Sequence, residues 1–149
     1  MGSEMCIRDS PRALSAYFKA VLNGWVTKRR MNSLSKSSQP CCSLGCGAEL
    51  DCLEHLCICE KFWEFAHKPR PGGLGLQHLP RSIDAFFMIM PRPQEQDIIR
   101  MSLGIYALHR VHNFNTHRSD PSNYNVLKLL SIYARRGAEA TKSKHLLKT

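Results

Sequence analysis

The stretch "CCSLGCGAELDCLEHLCICEKFW", residues 41–63, holds six of the chain's seven cysteines and one of its seven histidines. A structural metal site of the zinc type needs four tetrahedral N/S donors, two on a turn and two at the start of a helix. Cys42, Cys46, His55 and Cys59 supply such a set with the spacing C-x3-C-x8-H-x3-C, and the expected cofactor is Zn2+. Gly45 and Gly47 flank the second cysteine, leaving room for backbone N–H groups to turn toward the thiolates. Leu53, Leu56, Cys59/Glu60 and Trp63 fall on one stripe and predict a single helix over 52–66. On that helix His55 and Cys59, four residues apart, share a face.

The other cysteines have a plainer reading. Cys41, Cys52 and Cys57 suit small buried positions, the commonest fate of a free cysteine. Cys57 points away from His55 on the expected helix, whereas Cys41 can replace Cys42 if the register slips by one. For His67, His78, His109, His112 and His117 the expectation is partial burial or solvation. A Cys/His nucleophilic site would need an orienting Asp or Asn and an oxyanion-type turn, and no such companions stand out in the sequence. Trp25 and Trp63 read as core residues.

Outward from this stretch the pattern is helical. Leu14, Tyr17, Phe18, Val21, Leu22 and Trp25 follow the i, i+3, i+4 rule and predict an inward face, with Asn23-Gly24 as a stop. "TKRRMNSLSKSSQP" (27–40) is a polar, basic connector whose Lys28, Arg29 and Arg30 are the candidate nucleic-acid contacts. Pro69 and Pro71-Gly72-Gly73 end the metal-site helix, and Ser82 can cap the short apolar segment "IDAFFMIM". Ile98, Met101, Ile105, Leu108 and His112, broadened by Ile99, Leu103 and Tyr106, predict a helix over 94–114 buried on more than one side. A last helix is expected over 122–136, with Val126, Leu127, Leu130, Tyr133 and Ala134 inward and Gly137 as its stop. No strand alternation is present, so the fold class is mostly α: a small zinc-stapled helical domain with long loops.

The expected organisation is therefore an N-terminal helix and basic connector (11–40), a zinc-binding module (41–68), a Pro/Gly-rich loop with a short apolar segment (69–93), a helical pair (94–136) and a flexible tail (137–149). Residues 1–10 stand apart, because "MCIRDS" (5–10) matches a translation of the transposase mosaic-end adapter used in sequencing libraries. The reading expects a natural chain that continues upstream of residue 11.

Over 149 residues, 21 Lys and Arg oppose 12 Asp and Glu, a formal charge of +9. This favours a polyanion as partner, RNA or DNA first, and the absence of any long apolar run disfavours a membrane. Lacking a signal-peptide pattern, the cysteine-rich segment suits a reducing compartment, with nucleus or cytoplasm as the expected location.

"NGWVTKRRM" followed by "CCSLGCGAELDCLEHLCICEKFW" resembles the zinc-binding region that follows the polymerase domain in reverse transcriptases of non-LTR retrotransposons. The likeness is closest to the protist, dinoflagellate-like versions and spans about Trp25 to Arg118, including "FFMIM" and "LGIYALHRVHNFNTHR". It implies Cys42, Cys46, His55 and Cys59 as zinc ligands, although many members of that family carry one more residue between the last two. The paired aspartates of a Y/F-x-D-D turn are missing, since "DD" occurs nowhere in the chain, and no dense carboxylate cluster replaces them. The chain is thus expected to bind without catalysing. One reading is nucleic-acid binding by the C-terminal part of a reverse transcriptase. The alternative is a structural zinc module that docks on the parent's polymerase domain or another protein without touching nucleic acid.

Overall fold

The computed structural model describes residues 11–21, 24–25, 27, 41–49, 51–116 and 125–140. The chain is mostly helical, and no strand occurs among these residues. In order the helices are α1 (Pro11–Val21), α2 (Leu53–Cys57), α3 (Glu60–His67), α4 (Ile83–Phe86), α5 (Glu95–Thr116) and α6 (Val126–Ala140).

Helix α5 is the axis of the fold. Met101, Leu103, Ile105, Ala107, Leu108 and Val111 are all buried, covering several sides of the helix as its broad apolar pattern predicted. Helices α1 and α6 pack along it, and α6 also touches α3. Gly137 does not stop α6, contrary to the sequence expectation. It lies inside the helix where a Cβ would sit 3.0 Å from Tyr106 Cδ1 and 3.2 Å from Leu103 Cδ2, so the missing side chain lets α5 and α6 approach closely. A glycine read as a cap is here a packing residue.

The inward face of α1 also differs from the pattern. Ala16 and Ala20 are buried and Tyr17 half-buried, while Phe18 is 52% and Val21 48% exposed. Small side chains let α1 lie against α5, turning the bulkier residues outward. Trp25 lies beyond the helix and is buried, its indole N–H donating to the Ala16 carbonyl at 3.3 Å.

The segment expected as one helix over 52–66 is two. Helix α2 ends at Cys57, and Cys59 takes an extended conformation (φ −62°, ψ 129°) as the N-cap of α3. Two carbonyls near the break find side-chain partners: the Trp63 indole donates to Cys57 O at 2.9 Å and Arg81 Nε to Ile58 O at 2.6 Å. Buried Phe62, Trp63, Phe65 and Ala66 then anchor α3, with Phe62 edge-on to Phe86 at 5.3 Å.

The loop after α3 returns beneath it. Leu74 and Leu76 amides donate to Phe65 and Ala66 carbonyls at 3.3 and 2.9 Å, and both leucines are buried. Ser82 Oγ accepts from Ala85 N at 3.1 Å, capping α4 as expected, although α4 is only one turn long.

Gly104 of α5 faces this loop, where an added Cβ would lie 2.5 Å from Leu74 Cδ1 and 3.4 Å from Phe62 Cζ. Valine there gains helix propensity but overpacks a closed contact. We expect Gly104→Val to lower stability by about 1–3 kcal/mol, read as a lower urea midpoint with unchanged slope. A midpoint at or above that of the wild type would show that Leu74 yields freely.

Candidate metal centre

Three backbone features bring the donors together. The first is the turn over 42–48, closed by Cys42 N–H to Ala48 O at 2.9 Å and Gly45 N–H to Cys42 O at 3.0 Å. Gly45 and Gly47 take φ of +71° and +86°, left-handed values that glycine adopts without strain, and so fold the loop tightly around Cys46. The second is α2, which carries His55. The third is the break at Ile58-Cys59, which swings the Cys59 thiol back toward the turn.

The structure brings Cys42, Cys46, His55 and Cys59 into one group whose ligand atoms all lie within 4.8 Å of one another. The Cys42 and Cys59 sulfurs are 3.9 Å apart, and Cys46 Sγ is 3.2 Å from His55 Nε2. With metal–sulfur bonds of about 2.3 Å, the edge of a tetrahedron is about 3.8 Å, so the first pair already has the spacing of two bound thiolates. His55 and Cys59 meet without sharing a helix face, because the break replaces the i, i+4 geometry expected from the sequence. These four residues form a Cys3His group able to hold a metal ion.

The surroundings act on the four donors unequally. Cys42 Sγ accepts from Leu44 N–H at 3.4 Å. The Cys42 hydrogen bond holds the Cys59 thiol below its usual range, and the amides of Phe62 and Lys61 in the first turn of α3 add to this. The same bond, together with burial, pushes Cys42 up. Burial raises Cys46 and lowers His55, which favours the neutral imidazole whose lone pair a cation could take.

Cys41 is exposed and outside the group, so the one-residue register slip does not occur. Cys52 and Cys57 are buried, and burial pushes the Cys57 thiol up to about 12. Lys28, Arg29 and Arg30 lie outside the described residues.

What fastens the cysteine loop to the helices carries no motif in the sequence. Ser43, next to Cys42, donates its N–H to Asp51 Oδ1 at 3.2 Å, and its carbonyl accepts from Asn115 Nδ2 at 2.9 Å. Asp51 Oδ2 in turn meets His112 Nε2 at 3.1 Å, and Ser43, Asp51, His112 and Asn115 are all fully buried. His112 is expected on the α5 stripe, yet its role there is polar: it ties α5 to the turn beside the candidate ligands. His109 lies one turn earlier, 4.9 Å from the Trp25 ring, and burial above all pulls its pKa down to about 4. The only advance signal for this network was polarity inside an apolar stripe.

No protein-family model, curated protein or solved structure matches this chain. No helix among the described residues is long and apolar enough to cross a membrane.

Asp51→Ala would strip Ser43 N–H and His112 of a shared buried partner. A loss of about 3 kcal/mol in urea unfolding is expected, as for other broken buried pairs. A loss below about 1 kcal/mol would mean that the loop is held without this network.

Proposed function

We propose that the chain is a zinc-stapled, nucleic-acid-binding module from the C-terminal part of a retrotransposon reverse transcriptase, without a polymerase site of its own. The observation that carries the zinc reading is the convergence of three thiols and one imidazole within 4.8 Å. Soft sulfur donors in a tetrahedral S3N set favour Zn2+, and four protein ligands leave no open position, as in structural sites. The resemblance over residues 25–118 supports the family, and the charge of +9 supports a polyanionic partner. Zinc would set the turn at 42–46 and thereby position the basic connector that enters it.

Docking on a polymerase domain is the second reading. The exposed Phe18 and Val21 on α1, together with Ile83 and Ile89 near α4, favour it. The two readings part on salt dependence. Phosphate contacts weaken steeply as ionic strength rises, whereas apolar docking hardly changes.

Protein purified without chelator is expected to carry one equivalent of zinc by elemental analysis. Metal binding at such sites supplies on the order of 10 kcal/mol, so Cys46→Ser should unfold the region while Cys57→Ser stays mild. Equal damage from the two variants would refute this ligand set. Because each bound thiol gives up a proton, zinc affinity is also expected to fall as the pH is lowered.

Replacing Lys28, Arg29 and Arg30 together with alanine should lower RNA or DNA affinity and flatten its salt dependence by about one unit per lost contact. An unchanged slope with the fold intact would put the docking reading first.

A further inference from the structure

The helix pair α5–α6 carries five Lys and Arg (Arg100, Arg110, Lys128, Arg135 and Arg136) against three acids (Glu95, Asp97 and Glu139). Two of these cations converge in space. Arg110 of α5 and Arg136 of α6 lie over the same ring, that of Tyr133, at 5.5 and 5.8 Å from its centre. Both arginines are exposed and Tyr133 is half-buried. Among the described residues, neither arginine forms an ion pair with a carboxylate.

This arrangement has a chemical consequence. An aromatic ring attracts a cation placed over its face, and the N–H groups at the edge of the planar guanidinium remain available to a forked oxyanion. The register is fixed nearby, where Gly137 lets α6 close on Tyr106 and Leu103 one turn from the Tyr133–Arg110 contact. The two guanidiniums are therefore held on a rigid helical platform. The local field is positive as well: after burial, the charges of Lys19, His112 and Arg110 all push His109 toward its neutral form.

We infer that Arg110, Tyr133 and Arg136 form a phosphodiester-binding patch through which the α5–α6 face grips the backbone of a nucleic acid. The inference rests on the nucleic-acid reading proposed above and adds a second surface to it, separate from Lys28, Arg29 and Arg30. The ring gathers the two arginines at one exposed place, where adjacent phosphates could meet both. An acidic protein surface would also attract the charge, but its carboxylates lack the regular spacing of a phosphodiester chain.

The test uses the zinc-loaded full chain with a 20-nucleotide single-stranded RNA and a duplex DNA of equal length, each titrated across a salt series. R110A/R136A should flatten the log–log salt slope by about 1.4 units on the single strand or about 1.8 on the duplex, the values for two lost phosphate contacts. The arm that shows the loss identifies the nucleic acid. K61A/K68A, which removes two charges at α3, should retain the wild-type slope, and R110K/R136K should recover most of it. Polyglutamate at equal charge concentration should compete poorly. Wild-type slopes in both arms for R110A/R136A, an equal loss in K61A/K68A, or equal competition by polyglutamate would overturn the patch. If wild-type protein binds neither probe at low salt, the nucleic-acid reading itself falls and the patch with it. If binding is intact and only the Lys28/Arg29/Arg30 variant weakens it, the reading stands and this inference alone fails.

Discussion

Between Cys42 and Cys59 the backbone has to bring three thiols and an imidazole to one point, and most of the surrounding structure can be understood as making that possible. The left-handed glycines on either side of Cys46 close the first turn. The break before α3 closes the second, and it leaves carbonyls in need of partners. Trp63 and Arg81, both further along the chain, supply them. Trp63 thereby serves two purposes, since the ring that fills the core also stabilises the kink that aims Cys59.

A Cys/His knot of this size cannot make a domain alone, because too little apolar surface lies within it. The helices supply the core, and the join is polar. The peptide of Ser43 is gripped on both sides, by Asp51 and by Asn115, while His112 links Asp51 to α5. Buried polar groups of this kind are expensive unless matched and specific in geometry when they are. The network therefore fixes one orientation of the cysteine turn on the helices, which apolar packing, being non-directional, would leave less determined.

The surface follows from the same economy of parts. Alanines on α1 and Gly137 on α6 allow both helices to approach α5 closely. Close approach turns Phe18 and Val21 outward on one side and gathers Arg110, Tyr133 and Arg136 on another.

Much of this was legible in residue order. The four donors stand out because cysteine and histidine at short, turn-compatible spacings have few other uses, and the helical class follows from apolar periodicity without strand alternation. Ser82 as a cap and the several-sided burial of α5 were readable for the same reason: each is a local rule acting over one or two turns. Only tertiary structure decided the rest. Whether Gly137 ends a helix or admits a neighbour depends on what stands opposite it, and the neighbour is Tyr106, far away in the chain. The break at Cys59 depends on an indole and a guanidinium arriving to satisfy its carbonyls. Asp51 and His112 are 61 residues apart and carry no periodic mark, so their pairing exists only once α5 lies against the metal turn. Local propensities act through neighbours along the backbone, whereas these choices are settled by partners that only the folded chain brings within reach.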